Sequence, residues 1–288
     1  MARAVDFHQH FWPEPFITAL QGRTRPPCLH GTRLELMNGA EWEVDLAAHD
    51  LDVRMRLLER DGIDVAVVSL SPALGIQELV DDDAAELEDT YETGMLELAE
   101  SSGGRLVPLS TKPRAEFAGV CVGAGALNDL DGISETLGAL ERDDGVLFVH
   151  PGPAKSARPS ARWWNEIVDY TSQMQAAYAH WIAEGVVRWP RLRVVFAILA
   201  GGWPFQLERL TSRGVEARKT LHENVYFETS SYGRRALELC LATFGVRQLV
   251  YGSDVPVIDS KPTLDAVRAF GEAVADALCR ENPARLLR

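Results

Sequence analysis

The sequence predicts an α/β fold in which parallel strands close into a (β/α)8 TIM barrel. Three observations point there. Short β-branched runs alternate with stretches of helical period along the whole chain. There are eight such runs, the number of parallel strands that closes a barrel. No G-x-G-x-x-G follows a strand, as an open, doubly wound nucleotide-binding sheet would require. At 288 residues the chain suits one large domain, expected over residues 1–288, with no repeat at fixed period.

The expected strands are Ala4–Phe7, Val65–Leu70, Leu106–Leu109, Gly119–Val122, Val146–Val149, Val194–Ile198, Val225–Phe227 and Gln248–Tyr251. Helical period fills the intervals at Leu51–Arg60, Ala84–Glu100, Ile133–Arg142, Trp163–Glu184, Pro204–Arg213 and Arg234–Phe244. Two stretches resist regular structure. Residues 13–45 carry Pro26-Pro27 and scattered Gly and Arg, and they read as a long loop insertion after the first strand. Residues 151–160 hold three Pro and follow the fifth strand. Both belong at the C-terminal face, where barrels bind substrate. Asp81-Asp82-Asp83 reads as a helix N-terminus, where carboxylates oppose the dipole.

Composition excludes several classes. Hydrophobic content of 46% and charged content of 25% are those of a globular protein with a full core. A formal charge of −13 argues against nucleic-acid binding, which needs clustered Lys and Arg. No run approaches the roughly 18 apolar residues of a membrane helix, and the N-terminus lacks a signal-peptide pattern, so the chain reads as cytoplasmic. Cys28, Cys121, Cys240 and Cys279 are dispersed without C-x-x-C spacing, which favours buried structural thiols over a disulfide framework.

Chemistry concentrates at strand ends. His8 and His10 close the first run, and residues two apart on a strand share a face. His150 ends the fifth strand and Asp254 follows the eighth. In a closed barrel the first and eighth strands are neighbours, so Asp254 falls beside the histidine pair, with His150 reaching across the mouth. Each residue alone is ordinary: a partnered buried imidazole, or a helix cap. Together, three imidazoles and a carboxylate make a plausible open site for one divalent ion, zinc first and manganese second.

With these residues the chain resembles the amidohydrolase superfamily, and within it the amidohydrolase-2 branch of aminocarboxymuconate-semialdehyde decarboxylase-like enzymes. The matching segments are Asp6–His10, Gly62-Ile63-Asp64, Phe148–Pro151, Trp189–Ala197, Tyr226–Ser230, Gly252–Pro256 and Glu281–Leu287, in family order. The resemblance implies a distorted barrel of the metal-dependent hydrolase type that holds one ion through His8, His10, His150 and Asp254. It also exposes a departure. Anchored on Phe196-Ala197 and Pro204-Phe205, the family's catalytic histidine falls on Ile198, which can carry no proton. Loss of a positioned acid or base costs about 10²–10⁴ in rate. Asp254 is then expected to act as both ligand and base, or Glu228, at the end of the seventh strand, to stand in; His180 is a weaker substitute inside a helix.

These readings favour a metal-dependent hydrolase of a small cyclic or aromatic carbonyl compound, with water on the metal as nucleophile and Asp254 as base. The alternative is a non-oxidative decarboxylase of an aromatic or unsaturated acid, with Arg23, Arg25 or Lys112 orienting the anion. A second alternative, suggested by Ile198, is a catalytically reduced ligand-binding barrel. Trp12, Ile198, Trp203 and Tyr232 are the expected pocket walls, with Phe11, Trp42, Trp163 and Trp164 nearby in the loops. The expected partners are a small-molecule substrate and a second copy of the chain in a homodimer.

Overall fold

A computed structural model describes residues 2–80, 82–155, 161, 163–216 and 220–287. In chain order, β1 (Val5–Gln9) begins the barrel, while β2 (Cys28–His30), β3 (Arg33–Glu35) and β4 (Glu41–Glu43) form a separate antiparallel sheet. The barrel resumes with β5 (Val65–Val68), β6 (Leu106–Pro108), β7 (Gly119–Gly123) and β8 (Val146–His150). It is completed by β9 (Arg193–Phe196), β10 (Val225–Glu228) and β11 (Leu249–Val250).

Two parallel ladders, β1-β5-β6 and β7-β8-β9-β10-β11, make up the wall. Backbone hydrogen bonds join them at both seams. Ser110 N–H donates to Gly119 O (3.0 Å) and Cys121 N–H to Ser110 O (2.9 Å). On the other side Phe7 N–H donates to Tyr251 O (2.8 Å), Asp254 N–H to His8 O (2.8 Å) and His10 N–H to Val255 O (2.7 Å). The second seam ties the histidine pair directly to Asp254.

Strands covered on both faces read as continuous apolar runs, and here β1, β5, β8, β9 and β10 are buried at every residue. Helices clothe the outside. The helix Leu51–Asp61 begins at Asp50, whose carboxylate accepts from Val53 N–H (2.9 Å), and stops at Gly62 in the left-handed conformation. The expected helix Arg234–Phe244 forms with those bounds. Asp82 and Asp83 occupy the first turn of the helix Asp82–Ser101; Asp81 lies outside the described residues. No described helix is long and apolar enough to cross a membrane.

The insertion after β1 is more ordered than its composition suggests. Its helix Glu14–Gly22 places Pro15 in the first turn and buries Phe16 and Leu20, one turn apart. In the small sheet Leu29, Leu34 and Trp42 pair across the three strands and share one face; on the other face His30, Arg33, Glu41 and Glu43 are exposed, Glu35 is half-buried and Cys28 is buried. Strands of three residues offer a single alternation each, too short a period to read from sequence. Of the other irregular stretch, Pro151–Lys155 is irregular as expected and residues 156–160 lie outside the described residues.

β9 ends at Phe196, two residues earlier than its β-branched pattern suggests, because the backbone then reverses hand. Ile198, Leu199, Ala200, Gly201 and Gly202 have φ of 46°, 52°, 51°, 66° and 81°. Left-handed conformations cost about 1–2 kcal/mol per non-glycine residue, so packing must hold this turn. Gln175 Nε2 donates to Gly201 O (2.7 Å), Ala200 N–H to Ala197 O (3.0 Å) and Ile198 N–H to Glu228 Oε2 (3.2 Å). Gly201 sits so close to Thr171 that a Cβ there would collide with the Thr171 carbonyl.

Candidate metal centre

His8, His10, His150 and Asp254 converge at the C-terminal mouth, with one ligand atom from each lying within 4.8 Å of the others. His8 Nε2 is 3.3 Å from His10 Nε2, and Asp254 Oδ1 is 3.5 Å and 3.3 Å from those two atoms. A tetrahedral shell with bonds of about 2.0–2.1 Å has edges of about 3.3–3.4 Å, so the spacing fits a divalent ion. Three nitrogens and an oxygen suit zinc or manganese chemistry.

The surrounding groups leave each imidazole ready to bind. His10 Nδ1–H donates to Ser69 O (2.9 Å) and His150 Nδ1–H to Pro151 O (2.8 Å). His8 Nδ1–H donates to Glu228 Oε2 (3.0 Å). Because a carbonyl can only accept, the backbone dictates the tautomer at His10 and His150, and the Nε2 lone pairs face inward. Asp254 reaches the same point from a left-handed backbone (φ 64°), a conformation that short polar residues tolerate. Asp6 aligns the two elements: its Oδ1 accepts from His8 N–H (3.2 Å) and Ser253 N–H (3.0 Å), and its Oδ2 from Gln9 Nε2 (2.7 Å).

The electrostatics ask for positive charge at the centre. Burial disfavours the His8 imidazolium, yet the Glu228 and Asp254 carboxylates raise its pKa to about 9. Burial would raise the pKa of Asp254, but His8, His10 and His150 hold it below the usual carboxylate range. Burial, then His8 and His10, push His150 well below an ordinary imidazole. A cation at the shared point would replace the proton on His8.

Glu228, expected as a stand-in acid or base, is otherwise engaged. It is fully buried, and besides His8 it accepts from Ser230 Oγ (2.8 Å), Ile198 N–H (3.2 Å) and Ser230 N–H. A Cβ at Gly252 would collide with its carboxylate, so that glycine makes room for it. Ile198 is half-buried and one hydrogen bond removed from the group that holds His8. His180 is exposed at the end of the helix Tyr170–His180 and does not fill the place of the missing imidazole.

The aromatic expectations divide. Trp12 is buried and stacks on His49 (4.9 Å between centroids), and Trp203 is buried against Tyr178 (4.8 Å). Tyr232 is half-buried, its hydroxyl beside Gly202 in the left-handed turn. Phe11 is buried beneath the Arg54 guanidinium, Trp42 is half-buried, and Trp163 is exposed beside half-buried Trp164. The three cations expected to orient an anion are already paired with the acidic helix Asp82–Ser101. Arg23 meets Asp83 (3.2 Å), the exposed Arg25 lies 3.9 Å from the same carboxylate, and Lys112 meets Glu88 (3.0 Å).

Sequence reasoning missed the Ser69 and Pro151 carbonyls, which carry no residue-type signal. It also missed Arg54, buried, with Nη1 donating to Gln9 Oε1 (2.8 Å) and Nη2 to His10 O (3.1 Å). Tyr170 was missed as well, a hydroxyl whose pKa burial, Glu166 and Asp254 push upward.

The amidohydrolase family model matches residues 5–288. A curated relative, 2-amino-3-carboxymuconate-6-semialdehyde decarboxylase from Dictyostelium discoideum, is 21% identical over 282 residues, covering 85% of this chain and 78% of its own. The crystal structure of 5-carboxyvanillate decarboxylase from Sphingomonas paucimobilis superposes with a TM-score of 0.75 at 17% identity, covering 100% of this chain and 99% of that one. That of a dihydroxybenzoic acid decarboxylase from Polaromonas sp. JS666, with bound manganese and the inhibitor 2-nitroresorcinol, gives 0.74 at 16% identity, covering 100% and 97%. Matched along essentially its whole length, this chain belongs to the amidohydrolase family.

Proposed function

We propose that this protein is a metal-dependent, non-oxidative decarboxylase of a small aromatic or unsaturated acid. His8, His10, His150 and Asp254 would hold the ion, which would supply Lewis-acid charge for a substrate carboxylate and an adjacent hydroxyl. The observation that carries the reading is the division of labour between two carboxylates. Glu228 is closed off by four donors, whereas Asp254 is the most open member of the cage, its side chain 16% exposed. Asp254 is therefore the group placed to deliver a proton.

One proton carrier suffices for decarboxylation. Asp254, a carboxylate at rest, takes a proton from the substrate hydroxyl or from solvent; the bond from ring or vinyl carbon to the carboxyl group breaks, its electron pair stays on that carbon, Asp254 passes the proton to the carbon, and carbon dioxide leaves. Hydrolysis, the reading favoured on sequence, uses the same cage but asks for both water activation and protonation of a leaving group. With Ile198 where relatives are expected to carry an imidazole, this chain has one such group fewer. The names of the relatives weigh the same way.

The test is a panel of hydroxybenzoates and unsaturated carboxylic acids incubated with the manganese- or zinc-loaded protein in D2O. The expected result is release of carbon dioxide and one deuterium on the carbon that lost it. Intact acids throughout, or cleavage of lactones or amides instead, would overturn the assignment.

A further inference from the structure

The small sheet of the insertion carries a second constellation of metal-binding side chains. β2 and β3 pair Cys28 with Glu35 and His30 with Arg33, and β3 and β4 pair Glu35 with Glu41. Residues two apart on a strand, and residues directly opposite across it, share a face. Cys28, His30 and Glu35 therefore point the same way, opposite to the row of Leu29, Leu34 and Trp42. Their ligand atoms lie within 4.8 Å of one another.

We propose that Cys28, His30 and Glu35 form a binding site for one thiophilic divalent cation of the zinc class. The Cys28 Sγ to His30 Nε2 distance is 3.5 Å. A tetrahedral ion with bonds of about 2.3 Å to sulfur and about 2.0–2.1 Å to nitrogen spans an S···N edge of about 3.5 Å. The half-buried Glu35 closes on the same point through rotation of its side chain, and Glu41 continues the row.

The local charges suit an ion. Burial and the neighbouring Glu35 carboxylate push the Cys28 thiol pKa up, while Arg23 and Arg33 push it down. Arg23 is tied to Asp83 (3.2 Å) and Arg33 to Glu41 (3.4 Å), so neither guanidinium is committed to the sulfur. A cation between Cys28 and Glu35 relieves their repulsion and favours the thiolate. His30 is exposed, which gives the ion a path from solvent.

Binding there would staple β2 to β3 on the face opposite Leu29, Leu34 and Trp42, from the buried Cys28 to the exposed His30. The same insertion reaches the segment after His150, where Asn38 Nδ2 donates to Ala154 O (3.0 Å). The staple would thus stiffen a cover next to the barrel mouth without touching the catalytic cage.

Cobalt(II) titration of the full-length protein tests this, because the barrel cage contains no thiol. The expected signature is a near-ultraviolet thiolate-to-cobalt charge-transfer band. It should be lost in Cys28→Ser and kept in His8→Ala. His30→Ala removes an exposed ligand with little risk to folding and should shift the titration midpoint at least roughly tenfold. Absence of the band at saturating cobalt overturns the proposal. So does a band that survives Cys28→Ser, one lost in His8→Ala, or a midpoint unmoved in His30→Ala.

Discussion

His49 makes the hold on the strand that carries His8 and His10 sensitive to acid. Its Nδ1 accepts from Trp12 N–H (2.9 Å), two residues beyond His10, and its ring stacks on Trp12 at an interplanar angle of 5°. Burial, with Arg54 and His10 nearby, lowers its pKa from 6.5 to about 3. Below pH 6.5 the unfolded chain therefore binds a proton that the folded chain refuses. Stability from this residue is complete above pH 6.5 and falls by about 1.4 kcal/mol per pH unit as the pH drops toward 3. Between pH 7 and pH 4.5 the loss is about 2.6 kcal/mol. The perturbation is His49→Asn, whose Oδ1 can still accept from Trp12 N–H but does not titrate. Its stability relative to wild type should improve by about 2.6 kcal/mol over that interval, read from urea unfolding curves at the two pH values. Asp6, whose pKa burial raises to about 6, contributes equally to both proteins and cancels in the difference. A difference constant to within about 0.5 kcal/mol would refute the reasoning, since it would mean that His49 charges freely in the folded state.

Glu228→Gln should weaken metal binding by about 10–100-fold, because an amide cannot accept from His8 Nδ1–H, Ile198 N–H and Ser230 together; competition with a chelator above pH 9, where the His8 proton no longer competes, measures it. Asp254→Asn should lower carbon dioxide release by at least about 100-fold while the melting curve stays near wild type, since asparagine tolerates the left-handed backbone; an unchanged rate would place the proton carrier elsewhere. Ile198→His should fold with stability within about 1 kcal/mol of wild type or above it, because histidine is enriched at positive φ where β-branched residues are outliers. Denaturant unfolding checks this, and a loss beyond about 3 kcal/mol would contradict the left-handed geometry at this position.

The barrel and the four side chains that converge at its mouth were legible in the sequence because both depend on short-range pattern. Continuous β-branched runs mark strands buried on both faces, and an imidazole two residues from another on such a strand must share its face. The eight strand positions follow, and with them the convergence of His8, His10, His150 and Asp254 at one mouth. Contacts between distant segments decided the rest. Glu228 meets His8 across 220 residues of chain, and only that packing turns a candidate base into a buried clamp. The carbonyls of Ser69 and Pro151 select imidazole tautomers although any residue could supply them. Arg23 and Lys112 looked available to a substrate until the helix Asp82–Ser101 was seen to claim them. The left-handed run from Ile198 to Gly202 opposes local preference at three non-glycine residues and persists because Glu228 and the helix bearing Thr171 and Gln175 close around it. Periodicity records which face a residue takes; hydrogen-bond partners and strained backbone are settled only when the chain has packed.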